Sequence, residues 1–125
     1  MLKRVKKVKY TKSLKGSINF KKVLKNGNFK TKDNMSIYVK KIVPERDKNY
    51  LGICVSKKHG NSVTRNKLKR WVREAYFSFE EDILKGYYII VLFKKDIEVQ
   101  NINYTTVKGE MKDLFYKLGL FYETK

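Results

Sequence analysis

The sequence predicts an α+β fold, an α/β sandwich in which three helices pack on a small, mostly antiparallel sheet of about four strands. Two observations predict it. Segments with apolar residues at helical spacing alternate with short runs of β-branched and aromatic residues that end at polar turns. The chain has 125 residues, of which 42% are hydrophobic, enough for one core but not for two. We therefore expect a single domain over residues 1–125, with its helices packed on one sheet.

The first predicted helix lies in residues 16–27, GSINFKKVLKNG, and follows a basic arm over residues 1–15. We expect this arm to be mobile until a partner binds. Ser17 is suited to cap the helix at its N-terminus, and Gly27 to close it in the left-handed conformation. A last helix is predicted to begin after Asn103. The apolar face of the first helix is expected to contain Ile18, Phe20, Val23 and Leu24.

Four segments have the composition of strands. Residues 35–43 (MSIYVKKIV) and 50–56 (YLGICVS) are rich in β-branched and aromatic residues, and the polar turn between them holds the single proline, Pro44. The run YYIIVLF at residues 87–93 is apolar throughout, which is typical of a strand that is buried on both faces. A fourth, short strand is predicted at residues 29–32.

The segment VTRNKLKRWVREAYF, residues 63–77, is predicted to be a helix with two different faces. Its apolar residues recur at three- and four-residue steps and should face the core: Leu68, Trp71, Val72, Ala75 and Phe79. Arg65, Lys69 and Arg73 form a neighbouring stripe at four-residue spacing, and the segment contains one acid, Glu74. Like charges placed in this way repel one another unless an anion binds. The alternative interpretation is an ordinary solvated helix face.

The charge balance indicates a polyanionic partner. Thirty Lys and Arg residues against twelve Asp and Glu residues give a net charge of +18, and nucleic acid is the commonest partner of so basic a domain. A membrane surface is the rival, but the sequence has no lipidation signal and no apolar run near 18 residues. No hydrophobic segment follows the basic N-terminus, and the one cysteine suits a reducing compartment, so we expect a cytoplasmic protein.

Residues that could cleave a substrate are scarce, and we predict no catalytic residue in this chain. The acids are scattered, apart from residues 80–82, which we expect to form a solvated helix end. The sequence has one histidine, so catalysis that needs two histidines is excluded. This residue, His59, is expected on the surface of a loop. Cys54 alternates with apolar strand positions and is expected to be a buried structural thiol. The sequence contains no zinc motif or phosphate-binding glycine loop.

Residues 55–77, VSKKHGNSVTRNKLKRWVREAYF, resemble the signature of the bacterial ribonuclease P protein subunit. That family carries a basic helix of Arg-Asn-Arg type after a lead-in like Ser-Lys-Lys-x-Gly-x-Ala/Ser. The resemblance extends to the NFKKVLKNG helix, the SIYV strand and the order of the elements, so it covers nearly the whole chain. It implies that the following residues bind the catalytic RNA: Arg65, Asn66, Lys67, Lys69, Arg70 and Arg73. Lys67 departs from the arginine of many members.

The resemblance also implies a function and partners. In this family an RNA subunit is the catalyst and removes the 5′ leader of precursor tRNA, with Mg²⁺ held mainly by RNA. The protein binds that RNA, in an expected 1:1 complex, and contacts the leader. No membrane or small-molecule substrate is expected, and whether protein side chains bind metal is left open. The family fold also contains a left-handed crossover between parallel strands, an exception to a strong rule.

The leader is expected in a cleft between the first helix and the exposed sheet face. Aromatic side chains there would stack on unpaired bases while basic groups follow the backbone. The residues assigned to this cleft are Phe20, Tyr38, Ser56, Lys57, Lys58, Lys94 and Lys95. Their alternatives are core packing for the two rings and solvated strand ends for the lysines. Leu24 replaces an aromatic residue often found one turn after Phe20. The alternative function is a structural RNA-binding module such as a small ribosomal protein.

Overall fold

Helices and strands alternate along the chain largely where the sequence predicts them. The computed structural model describes residues 10–44 and 46–122. The helices are α1 (Ser17–Asn26), α2 (Ser62–Ser78) and α3 (Tyr104–Lys117). The strands are β1 (Thr11–Ser13), β2 (Asn28–Thr31), β3 (Met35–Lys41), β4 (Asn49–Cys54) and β5 (Tyr87–Phe93). The α+β class is therefore confirmed.

The strands form one sheet in the order β1-β4-β5-β3-β2. Pairs β1/β4 and β4/β5 are parallel, whereas β3/β5 and β2/β3 are antiparallel. The described part of the chain thus has five strands rather than about four, in a mixed sheet rather than a mostly antiparallel one. The crossover between the parallel strands β4 and β5 contains α2. Its left-handedness stays a prediction.

Strand β1 is the strand that the sequence analysis missed, because Thr11–Ser13 has neither apolar alternation nor β-rich composition. Hydrogen bonds from its neighbourhood hold it in place. The hydroxyl of Tyr10 donates to the carbonyl oxygens of Glu80 and Ile83, the latter at 2.9 Å, and Thr11 Oγ1 lies 2.7 Å from the hydroxyl of Tyr76. The predicted mobile arm therefore does not reach residue 15, and residues 1–9 lie outside the described residues.

Glu80 corrects a second expectation about the surface. It is 1% exposed instead of lying on a solvated helix end, because the segment after α2 folds under Tyr10. Burial also raises the pKa of the nearby Tyr76 to about 12. The Tyr76 hydroxyl therefore stays protonated at neutral pH and can share its hydrogen bond with Thr11.

The main core lies on one face of the sheet, under α2 and α3. Side chains alternate along β3, so that Met35, Ile37 and Val39 are buried in this core. On the other face a smaller cluster of buried residues, Leu14, Val23 and Ile90, packs together with half-buried side chains such as Phe20 and Tyr38. Among the described residues this second face is therefore less fully covered than the first. No helix among the described residues is long and apolar enough to cross a membrane.

The ends of α1 differ from the prediction, whereas the start of α3 agrees with it. Ser17 lies inside α1, and Gly16 precedes the helix with a φ of 89°. Gly27 has a φ of −80° and is not left-handed. A side chain at Gly27 would instead collide with the backbone, since a Cβ would lie 2.6 Å from the carbonyl oxygen of Val39. Asn103 caps α3 as predicted, accepting a hydrogen bond from a backbone N–H.

Candidate nucleic-acid interface

Helix α2 separates apolar and basic side chains as its sequence predicts. Asn61 caps its N-terminus, with Oδ1 accepting a hydrogen bond from the Thr64 N–H at 3.0 Å. Leu68 and Val72 are fully buried against the sheet. The remaining surface of the helix carries the six residues predicted to bind RNA, which we call the basic face: Arg65, Asn66, Lys67, Lys69, Arg70 and Arg73. The helix therefore fixes these side chains on a scaffold held by the core.

Little within the described chain neutralises the basic face. Arg70 lies 3.9 Å from Glu74, a surface contact of small energetic value. No described carboxylate forms an ion pair with Arg65, Lys69 or Arg73. Arg65 Nε–H donates to the carbonyl oxygen of Gly60 at 3.1 Å, which orients the guanidinium and keeps its charge. The positive charge of this face is therefore available to an external anion.

The side chain of Trp71 packs against the main core, as predicted, and is half-buried. The Nζ of Lys67 lies 5.5 Å from the centre of its ring. This cation–π contact places an indole edge beside the basic face.

The opposite face of the sheet carries a row of side chains that run across four strands. Strand register places Phe29 opposite Tyr38, Tyr38 opposite Ile90, and Ile90 opposite Gly52. The ring of Phe20 from α1 lies over Gly52, where a Cβ would come within 2.5 Å of Phe20 Cζ. Phe20 and Tyr38 are both half-buried. Their rings thus line the boundary between α1 and the uncovered sheet.

A second row of side chains on the same face would form the floor of the predicted cleft. Register places Thr31 opposite Ser36, Ser36 opposite Leu92, and Leu92 opposite Cys54. None of these four side chains is buried, so the floor is open. Cys54 is half-buried rather than buried, and this desolvation raises the pKa of its thiol, while Lys69 acts in the opposite direction. Burial therefore favours the neutral thiol form of Cys54 at this position.

The polar end of this cleft lies where β4 and β5 end, and His59 holds it together. His59 is 4% exposed, which corrects its predicted surface position. Its Nδ1 accepts a hydrogen bond from the Ser56 N–H at 2.9 Å, so its Nε2–H donates to the carbonyl oxygen of Lys94 at 2.6 Å. These bonds bring the segment Ser56–Lys58 beside Lys94, as the predicted cleft requires. The polar composition of the loop around His59 did not indicate this bridging role.

Replacing His59 with leucine is expected to destabilise the protein by about 2 to 4 kcal/mol, because two buried hydrogen bonds are lost and their partners are left unsatisfied. Chemical denaturation, followed by circular dichroism, measures the free energy of unfolding. Lys58→Ala, on the exposed part of the same turn, is the matched control and should change it by less than about 0.5 kcal/mol. An H59L variant as stable as the control would show that the bridge contributes nothing.

A cavity of about 380 Å³ joins the basic face to the aromatic side of the sheet. The cavity lies where β1 ends. Leu14 N–H, just after β1, donates to the carbonyl oxygen of Leu51 at 2.9 Å, and β4 continues to Cys54 without β1 beside it. Lys69 and Arg73 line one side of it and Phe20 the other. The two predicted RNA surfaces therefore meet around this sheet edge. The sequence could not reveal this, because the contact depends on the unpredicted strand β1.

The residues that the sequence assigned to two surfaces thus occupy two connected regions. The basic face holds the six residues assigned to the catalytic RNA. Of the residues assigned to the leader, Phe20 and Tyr38 lie on the open sheet face, and the other five follow the ends of β4 and β5: Ser56, Lys57, Lys58, Lys94 and Lys95. Phe29 is an aromatic neighbour that the sequence analysis did not assign. Their roles in binding stay predictions.

Comparison with known proteins agrees with this architecture. The family model described as Ribonuclease P matches residues 8–119. A protein of Clostridium botulinum (strain Eklund 17B / Type B) named "Ribonuclease P protein component" is 36% identical over 115 residues, which cover 88% of this chain and 90% of the relative. The chain is also similar to two solved RNase P proteins. That of Staphylococcus aureus superposes with a TM-score of 0.77 at 27% identity, covering 92% of this chain and 100% of the other.

The second structure is the RNase P protein of Thermotoga maritima, with a TM-score of 0.70 at 29% identity, covering 81% of this chain and 92% of the other. The family match spans most of the sequence, including α2, the cleft and all five strands. The similarity therefore concerns the whole fold and not the basic segment alone. On this basis the chain belongs to the ribonuclease P protein family and is a protein component of ribonuclease P.

Proposed function

We propose that this protein component binds the catalytic RNA of ribonuclease P through its basic face and holds the 5′ leader of precursor tRNA in the cleft beside α1. The observation that carries the proposal is the continuity of the two surfaces. Lys69 and Arg73 line the same cavity as Phe20. The catalytic RNA docked on α2 would therefore lie next to a single-stranded RNA leader that crosses the open sheet face. The complex is expected to contain one copy of each subunit in the cytoplasm, a location that the single cysteine supports.

Phosphate binding by the basic face follows from the chemistry of its side chains. Guanidinium groups match phosphate oxygens in charge and in bidentate geometry, and lysines add point charges. Asn66 is exposed and offers both donor and acceptor groups to a sugar or base edge. Since no described carboxylate pairs with Arg65, Lys69 or Arg73, RNA would remove repulsion between them rather than compete with a described carboxylate.

Leader binding follows from the composition of the cleft. Unpaired bases can stack on the half-buried rings of Phe20 and Tyr38. At the strand ends, Lys57 and Lys58 together with Lys94 and Lys95 can follow the phosphates. Stacking is tolerant of sequence, because every base has an aromatic face. The cleft would therefore accept leaders of many sequences, as a general tRNA-processing enzyme requires.

We assign the cleavage step to the RNA subunit. The described residues contain no group of three or more His, Cys, Asp or Glu side chains that could hold a metal ion. The His59 ring has both nitrogens engaged by backbone groups, and it is buried. We assign most ligands of the reaction's Mg²⁺ to RNA, because Mg²⁺ is commonly held by phosphate oxygens with few protein carboxylates. The protein would act by raising affinity for the precursor and by shielding repulsion between the two RNAs.

The decisive experiment is cleavage of a precursor tRNA by bacterial ribonuclease P RNA at low magnesium, with and without this protein. We expect the protein to accelerate removal of the 5′ leader, because its cations replace part of the charge screening that Mg²⁺ supplies. The protein alone should not cleave. A cleavage rate that stays unchanged at every salt concentration would refute the proposal.

A further inference from the structure

Phe29 is a large aromatic residue that the described chain leaves on the surface. It lies in β2, the edge strand of the sheet, and is 54% exposed. Its ring stacks on Tyr38, with 4.9 Å between ring centres and 20° between ring planes. One face of the Phe29 ring is therefore covered by Tyr38, and the opposite face is open. The arrangement extends the aromatic row of the cleft to the edge of the sheet.

A cavity of about 380 Å³ runs along the outer edge of β2, next to this open ring. Phe29 lines it together with Gly27, Asn28, Lys30, Lys117 and Leu118. The charged groups in reach are mostly positive. Lys30 is exposed, and Lys117 lies 3.2 Å from Asp113, a carboxylate that also contacts Lys32 at 3.0 Å. One acid is thus shared by two lysines, and the cavity keeps a net positive character.

An aromatic face beside cations suits one kind of ligand, an unpaired nucleobase with its phosphate. A base stacked on the open side of Phe29 would continue the stack that Tyr38 begins. Lys30 and Lys117 lie toward the other face of this edge strand, so they could reach the adjoining phosphate only around the edge of the sheet. A peptide or lipid would not need the parallel ring stack. The Phe29 side chain contributes little to core packing, since it is more than half exposed.

We propose that the Tyr38–Phe29 stack is an additional binding site for an unpaired base of the precursor tRNA leader, at the edge of the sheet formed by β2. This inference rests on the proposed function and adds a residue to it.

The test measures affinity of the holoenzyme, assembled from bacterial ribonuclease P RNA and the full chain, for precursor tRNAs whose leaders shorten by one nucleotide at a time. Phe29→Ala should weaken binding of precursors with long leaders by about fivefold or more, the loss of one stacking contact. Phe29→Leu should lose as much, since it keeps an apolar side chain without a ring, and Phe29→Tyr should bind as wild type does. The difference should vanish for short leaders and for mature tRNA.

Three results would overturn the site. An F29L variant that binds long leaders as tightly as wild type would show that stacking is not involved. An F29A defect that persists with mature tRNA, or that appears in binding of the RNA subunit alone, would place a different RNA on β2. Tyr116→Ala, which removes another exposed ring outside this cavity, is the control, and an equal defect there would make the effect unspecific. Loss of leader dependence in the wild type would refute the proposed function instead.

Discussion

Replacing both Arg65 and Arg73 with alanine is expected to weaken binding of ribonuclease P RNA by about ten- to a hundredfold near 0.15 M salt and to flatten its salt dependence. Each lost phosphate contact removes roughly 0.7 to 0.9 from the slope of log affinity against log salt, so two contacts should remove about 1.4 to 1.8. The absence of an ion pair with a described carboxylate makes this prediction sharp. Neither arginine has to break an ion pair with a described carboxylate before it binds RNA.

The measurement is a salt titration of RNA affinity for the wild type and the variant, by filter binding or fluorescence anisotropy. Lys108→Ala with Lys112→Ala is the control, because it removes two positive charges from α3, away from the basic face. The control should change the slope by much less. Equal slopes for the R65A/R73A variant and the wild type would mean that the basic face does not contact phosphates. Thermal unfolding of the variant shows whether weaker RNA binding comes instead from a loss of protein stability.

The sequence predicted the elements with strong local signals and missed those that depend on distant contacts. The β5 run YYIIVLF and the two-faced helix α2 carry their own hydrophobic patterns, so their positions agree with the structure. Strand β1 has no such pattern. It forms because the chain near Tyr10 bonds to β4 and to residues about seventy positions later in the sequence. No local pattern could indicate those bonds.

The same distinction explains the errors at the candidate site. His59 stands in a polar loop, KKHGNS, whose composition favours the surface, yet its ring bridges Ser56 and Lys94. Glu80 lies in an acidic run but is covered by the returning N-terminal segment. In both cases tertiary hydrogen bonds outweigh residue preference. The identities of the candidate RNA-binding residues were predicted from the family resemblance. The cavity lined by Lys69, Arg73 and Phe20 could be seen only in the folded chain.

The second large expected effect is a loss of leader binding when Gly52, the glycine beneath the Phe20 ring, is replaced by alanine. A Cβ at Gly52 would lie 2.5 Å from Phe20 Cζ and 2.8 Å from Cε1. Because these atoms are the far end of a flexible side chain, we expect Gly52→Ala to push the ring out of place while the sheet persists. The variant should then lose the stacking energy of one base, roughly 1 to 3 kcal/mol, or about five- to a hundredfold in affinity for precursors with a leader. Mature tRNA should bind as before.

A double-mutant cycle makes this prediction specific. Phe20→Ala should reproduce the defect of Gly52→Ala, and the two substitutions together should cost no more than either alone, because both remove the same ring from the cleft. Gly109→Ala is the matched control, since a Cβ there meets no atom within 4 Å. It should leave leader affinity unchanged and stabilise α3 by up to about 1 kcal/mol. Additive losses in the cycle would mean that Gly52 supports leader binding by some route other than Phe20.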